Sequence, residues 1–117
     1  MMDQIYPELE LLILEMSEGD LDFKKELTLA IYNGLLELKQ KYIEGSFQKN
    51  DHTLQQIRHK MKPTLSMFEL THLIEELKEG KTIIESDGFD GANFTTHYKN
   101  MMEKLDQAIE RVFAITK

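Results

Sequence analysis

The sequence predicts an all-α protein, an antiparallel four-helix bundle preceded by a short N-terminal helix. Helix-forming residues are abundant among its 117 positions, and only two are proline. Apolar residues recur at steps of three and four, whereas the alternation typical of β-strands is nearly absent. Long amphipathic helices with short connections bury their apolar faces best in such a bundle. The length suits one core, so we expect residues 1–117 to form a single domain.

Composition and charge exclude several classes of function. With 14 basic and 21 acidic residues the net charge is -7, which argues against nucleic acid or an anionic membrane as the general partner. The chain has no cysteine, so disulfides, thiolate chemistry and cysteine zinc sites are excluded. The apolar run 11–14 is too short for a signal peptide or a membrane span. We therefore expect a cytoplasmic protein. The initial methionines and the full set of predicted helices favour a free-standing chain over a segment of a larger protein, and both alternatives stay open.

The "SEGD" turn at residues 17–20 separates the N-terminal helix from the first long helix. Pro7 suits the first turn of a short helix that ends near Met16, because an N–H is not needed there. Asp20 is a candidate N-cap for a long helix that continues to about Ile43.

Small residues and a loop motif delimit the other predicted helices. Gly45 and Ser46 are predicted to end the first long helix. The remaining helices are predicted at about 50–68, from 69 to the "SDGFDG" loop at 86–91, and at 93–115.

A basic cluster, "RHKMK" at residues 58–62, lies in the helix predicted at about 50–68 and contrasts with the acidic chain around it. A helical wheel predicts that His59 faces solvent, with Lys62 one turn further on. A solvent-exposed imidazole is largely neutral at cytosolic pH, so one ring nitrogen has a lone pair available as a nucleophile. The side of the wheel opposite His59 is apolar and comprises Leu54, Ile57, Met61, Leu65 and Phe68.

Pro63 follows His59 by four residues. Proline has no N–H to donate to the His59 carbonyl, and its ring crowds that carbonyl. A bend or a solvated carbonyl is therefore expected at His59.

The stretch "IRHKMKPTLSMFEL" at 57–70 resembles the phosphoacceptor helix of histidine-containing phosphotransfer (HPt) domains, in which lysine and then glycine follow the histidine. His59 and Lys62 match the histidine and lysine of that motif. Pro63 stands in place of the glycine, and Glu69 lies where a second glycine is common. The segment "EGDLDFKKELTLAIYNGLLELKQKYIEG" at 18–45 is similar to the preceding helix of the family.

The resemblance implies a phosphocarrier of a two-component phosphorelay rather than a stand-alone enzyme. It implies that His59 is the phosphoacceptor and that Lys62 and Lys60 stabilise the phosphoryl group, with Lys78 and Lys81 as candidates for orienting the histidine. The implied partners are receiver domains of a hybrid histidine kinase and of a response regulator. The implied protein is a monomer without a cofactor of its own, and Mg²⁺ is expected on the receiver. The residues expected to dock the receiver are Gln55, Gln56, Pro63, Ser66 and Met67.

Two other functions compete with this interpretation. Glu69 and His72 form an E-x-x-H pair, the unit of di-iron bundles, but the apolar stripes predict no inward carboxylates to complete such a centre. The alternative is a non-catalytic helical adaptor, an HPt-like bundle that docks without transfer. Met67 fits either a docking surface or the edge of the core, and an adaptor could also use the methionines at 61, 101 and 102.

Overall fold

The computed structural model describes residues 5–116, and these residues form helices and short connections without a β-strand. The all-α class predicted from the sequence is therefore confirmed. The five helices are α1 (Leu9–Met16), α2 (Leu21–Phe47), α3 (Asp51–Met67), α4 (Thr71–Asp87) and α5 (Ala92–Ile115).

The helices pack into a compact bundle around one apolar core. Helix α2 packs against α3 and α5, α4 packs against the same two helices, and α1 lies on α2. All five helices contribute side chains to the core, as Ile13, Leu38, Leu54, Leu73 and Leu105 illustrate, each with no exposed surface. Burial of these apolar faces is the main source of stability for helices of this length.

The prediction that Gly45 and Ser46 end the first long helix is wrong, because both residues are buried inside α2. A Cβ on Gly45 would lie 2.7 Å from a methyl group of Leu54 on α3, so glycine here permits close packing of two helices rather than a turn. The turn comes later: α2 ends at Phe47, and Lys49 adopts a positive φ of 54°.

Side-chain caps explain two of the helix starts. The Asp20 carboxylate accepts hydrogen bonds from the backbone N–H groups of Asp22 and Phe23, at 3.0 and 3.1 Å, which confirms it as the N-cap of α2. Asn50 caps α3 in the same way by accepting from the N–H of Thr53.

Three predicted boundaries differ from the structure. Pro7 lies in the turn before α1 instead of in its first turn. Helix α4 begins at Thr71, two residues later than predicted, because Glu69 has a left-handed backbone with φ 53°. It then continues through Gly80 to Asp87, so only 88–91 of the predicted loop are non-helical.

Across residues 5–116, no helix combines the length and the apolarity that crossing a lipid bilayer requires.

Candidate functional site

Helix α3 presents His59 to solvent, as the helical wheel predicts. The imidazole is exposed, and the five residues predicted on the opposite side of the helix are all buried. Among the described residues, no hydrogen bond or ion pair involves His59. The ring is therefore accessible to a partner, and no side chain or backbone group of the described residues bonds either of its nitrogen atoms.

An open groove runs beside His59 between α3 and α4. The cations that line it are Arg58, Lys60 and Lys62 of α3 and Lys78 and Lys81 of α4. Glu85 is the one carboxylate among the described residues that line it. The groove is thus locally cationic in a chain whose net charge is -7, which favours an anionic ligand or an anionic group on a partner.

Lys60 and Lys62 differ in their partners. The Lys60 ammonium lies 2.7 Å from Glu37 Oε1 on α2 and 3.1 Å from the other carboxylate oxygen. Lys62 is exposed and has no ion pair within 4 Å among residues 5–116. Lys62 is therefore the more available cation for an anion near His59, whereas Lys60 is held toward α2.

The structure brings the residues predicted to dock a receiver onto one exposed surface. All five are exposed, and Gln55, Gln56 and Ser66 line the groove. The Gln55 amide donates to Asp51 at 2.9 Å. Met67 has 53% of its surface exposed, which decides between its two interpretations in favour of the surface.

Pro63 does not terminate α3, which continues to Met67. The pyrrolidine ring is exposed one turn beyond His59, on the side that a partner would approach. It cannot donate a hydrogen bond to the His59 carbonyl.

A second histidine, His97, lies at the centre of a buried polar network that the sequence did not reveal. Its Nδ1 is 2.6 Å from Glu76 Oε2, and its Nε2 is 2.6 Å from the Tyr42 hydroxyl. Lys104 donates to the other Glu76 oxygen at 2.8 Å. The side chains come from α2, α4 and α5, and Gly80 of α4 packs directly against His97 and Tyr42. The network therefore joins three helices in the core.

The chemistry of these groups determines the direction of the hydrogen bonds. An ionised carboxylate only accepts, so Nδ1 of His97 carries the proton and donates to Glu76. In the neutral ring, Nε2 then accepts from the Tyr42 hydroxyl. Burial raises the pKa of Glu76, but the hydrogen bonds from Lys104 and His97 outweigh it and hold that pKa below its ordinary value.

Burial also raises the pKa of Tyr42, which keeps its hydroxyl protonated as a donor. The nearby Arg58 charge opposes this shift. One guanidinium nitrogen of Arg58, Nη1, is buried without a hydrogen-bond partner among the described residues, while the side chain also lines the groove. Arg58 therefore lines the groove beside His59, and its charge also acts on Tyr42 of the buried network.

Glu76 corrects the expectation that no carboxylate faces inward, since only 2% of its surface is exposed. Spacing alone could have found both buried residues. Glu76 follows Leu73 by three positions on the buried face of α4, and His97 lies between Phe94 and Met101 on that of α5. A polar residue at such a position predicts a polar partner on a facing helix.

The residues considered for metal binding and for an adaptor are not arranged as those two functions require. Glu69 is exposed, and the His72 ring packs against Tyr6 with their centroids 5.4 Å apart. Within residues 5–116, no three potential ligands among His, Asp and Glu are grouped so that they could hold a metal ion. Met61 and Met101 belong to the core, so they are not available to a partner helix.

No protein-family model, no curated protein and no solved structure matches this chain.

Proposed function

We propose that this protein is a histidine phosphotransfer protein of a two-component phosphorelay, and that His59 carries the phosphoryl group between aspartates of receiver domains. One observation carries the proposal: an exposed imidazole at mid-helix lies beside a cationic groove and one turn from Lys62, and within residues 5–116 neither side chain has a hydrogen-bond or ion-pair partner. This arrangement supplies a nucleophile and positive charge without a carboxylate on the same helical turn.

The chemistry requires little from this chain. A lone pair of the His59 ring forms the N–P bond as the P–O bond to the receiver aspartate breaks, and the carboxylate leaves with the electron pair. The reverse step delivers the group to a second aspartate. Phosphoryl transfer depends chiefly on in-line positioning and charge neutralisation, for which a rigid helix and nearby cations suffice. The protein has no cofactor of its own in this proposal, because the receiver brings Mg²⁺.

The four lysines near His59 contribute unequally to stabilising the phosphoryl group. Lys62 stabilises the phosphoryl oxygens, and Lys78 and Lys81 supply charge from the opposite wall of the groove. Lys60 contributes less, since its ammonium is bonded to Glu37. The receiver docks over Gln55, Gln56 and Ser66 and reaches the apolar edge formed by Pro63 and Met67.

We further propose that the four long helices form the antiparallel bundle expected of this family, in a cytoplasmic protein. Contacts between α2 and α5 support the arrangement, because residue numbers rise along one helix as they fall along the other. The pairs are Tyr32 with Phe113, Lys39 with Asp106, and Tyr42 with His97.

Transfer from a phosphorylated receiver domain tests the proposed function. The wild-type protein should acquire label that is acid-labile and alkali-stable, and His59→Gln should acquire none. His52→Gln is the matched control, since His52 is another exposed histidine on α3 that lines the same groove. Equal labelling of wild type and His59→Gln would refute the assignment.

The adaptor function remains the second candidate because of Pro63. Its exposed ring occupies the position where the family has glycine, beside the His59 backbone. A receiver that binds the wild-type protein without transferring label, and transfers to Pro63→Gly, would identify a docking module that has lost transfer.

A further inference from the structure

The outward face of α2 carries a continuous exposed strip without charge. Its apolar members have 39–89% of their surface exposed: Leu29 42%, Leu36 40%, Ile43 39% and Phe47 89%. Asn33 and Gln40 lie between them and are also exposed. In a chain of which 30% is charged, six successive positions of one helix face without a charge are unusual. We call these six residues the α2 strip.

The α2 strip has the spacing of a coiled-coil seam. Its residues follow one another at alternating steps of four and three, so they occupy the a and d positions of heptads. Asn33, Gln40 and Phe47 are at a, and Leu29, Leu36 and Ile43 are at d. At 1.5 Å per residue the strip is about 27 Å long. The opposite side of α2 packs into the core of its own bundle, so this seam is additional to the fold.

We propose that a second copy of this chain covers the α2 strip, and that the two α2 helices pair in parallel. In a parallel pair each residue faces its own counterpart, so Asn33 meets Asn33 and Gln40 meets Gln40. A side-chain amide both donates and accepts, and each such pair is therefore self-complementary. A polar residue at an a position is also the feature that specifies two parallel strands in register.

The antiparallel alternative leaves polar groups unpaired. In an antiparallel pair, each a position faces a d position of the other helix. Asn33 would then lie opposite Ile43, and Gln40 opposite Leu36. Each buried amide would lack a partner, and an unsatisfied polar group is costly in an apolar interface.

Charges beside the α2 strip favour the same orientation. In a parallel pair, the g position of one helix faces the following e position of the other, which brings Lys39 to Glu44 of the second copy. Both side chains are partly exposed, at 34% and 41%, although each also has a partner within its own chain. An antiparallel pair would bring Glu37 close to its own counterpart and Lys39 close to its own, and like charges repel.

The extent of the interface follows from charge. Asp22 and Glu26 continue the helix face toward the N-terminus and would lie near their own counterparts in a parallel pair. Their repulsion limits the contact to Leu29–Phe47. The groove beside His59 is lined by residues of α3 and α4 and by none of the α2 strip, so pairing leaves it open. The proposed dimer is an alternative to the monomer that the HPt resemblance implies.

Sedimentation across a dilution series from micromolar to millimolar tests the proposal. The wild-type chain should reach twice the mass of one chain, and Gln40→Lys should remain at the mass of one chain because it places two ammonium groups together at the seam. Gln40 is exposed, so circular dichroism should show the variant folded. A wild-type protein that stays monomeric, or a dimer that Gln40→Lys leaves intact, would overturn the proposal. A monomeric wild type would indicate that the α2 strip binds a helix of a different protein.

Cross-linking distinguishes the two orientations because the chain has no cysteine of its own. With a short bis-maleimide, Asn33→Cys should form a covalent dimer in high yield, since the two thiols lie across the seam from each other. In an antiparallel pair they would be about 15 Å apart along the axis. Glu103→Cys, exposed on α5, is the control and should stay monomeric. Equal, low yields from both variants would contradict parallel pairing.

The test of dimer formation is independent of the test of the proposed function. Gln40→Lys should accept label from a phosphorylated receiver at the wild-type rate, because the variant changes only the α2 strip. Loss of the dimer with retained transfer supports both proposals. A dimer in a protein that never accepts label would support the interface and refute the carrier function.

Discussion

Two histidines occupy opposite environments in this protein. His59 is exposed on α3 and forms no hydrogen bond with the described residues, whereas His97 has 2% of its surface exposed and bonds two side chains at 2.6 Å. The same imidazole group thus serves two purposes. At His97 both nitrogens are committed to holding helices together, and at His59 both remain available for chemistry. Availability to a partner, more than the presence of a histidine, distinguishes the candidate site.

The largest contrast should come from truncating each ring. His97→Ala should lower the free energy of unfolding by about 3 kcal/mol, because it leaves Glu76 and Tyr42 buried with unsatisfied groups and opens a cavity. His59→Ala should change it by no more than about 0.5 kcal/mol, as expected of an exposed position. Urea denaturation of both variants measures the difference, and similar losses would show that the two rings are not in different environments.

Two helix-interior glycines give the next contrast. Gly80→Ala should destabilise the fold by about 2 kcal/mol, because the new methyl group would collide with His97 and would lie 2.7 Å from the Tyr42 hydroxyl. Gly34→Ala meets only the flexible end of Met61, at 3.1 Å, and gains helix propensity. We expect it to be neutral or stabilising. Thermal denaturation of the pair tests this, and a stable Gly80→Ala would mean that α4 does not pack tightly on the network.

The pH dependence of stability should identify Glu76. Its pKa in the folded state lies below the unfolded value of 4.5, so between these two pKa values the unfolded chain binds more protons than the folded chain. The contribution of Glu76 is therefore fully present above pH 4.5 and is lost as the pH falls through the folded pKa. Glu76→Gln should be less stable than wild type at neutral pH, and the difference should shrink in acid. A difference that stays constant with pH would exclude this carboxylate as the titrating group.

The smallest effect on stability belongs to the cations around His59. Lys62→Ala should leave unfolding unchanged within about 0.5 kcal/mol and slow transfer from a phosphorylated receiver about tenfold, a barrier increase of about 1.4 kcal/mol. Lys60→Ala is the matched control, and its effect on transfer should be smaller because Lys60 is bonded to Glu37. A labelling time course, quenched at intervals, gives the transfer rates of both variants. Equal rates for the two variants would leave Lys62 without a special role.

The sequence predicted the parts of this molecule that depend on periodicity. The five helices and the outward direction of His59 follow from apolar steps of three and four. The end of α2 could not be predicted, because Gly45 is explained by its contact with Leu54, a residue of another helix. Glycine is compatible both with a turn and with close packing, and only the tertiary structure distinguishes them.

The buried network shows a different limit of sequence reasoning. Tyr42, Glu76 and His97 are far apart in the chain, so their mutual hydrogen bonds depend on how α2, α4 and α5 pack. The groove has the same origin, since Lys78 and Lys81 of α4 join Lys62 only when α4 packs beside α3. Spacing within one helix predicts which face a residue occupies, but not which residue it meets.

Mapping the modified residue is the most direct test of the central claim. After transfer from a phosphorylated receiver domain, mass spectrometry under alkaline conditions should locate the phosphoryl group on His59 alone, although His52 and His72 are also exposed. Phosphate on one of those two histidines, or a receiver that keeps its phosphate in the presence of the folded wild-type protein, would contradict the account.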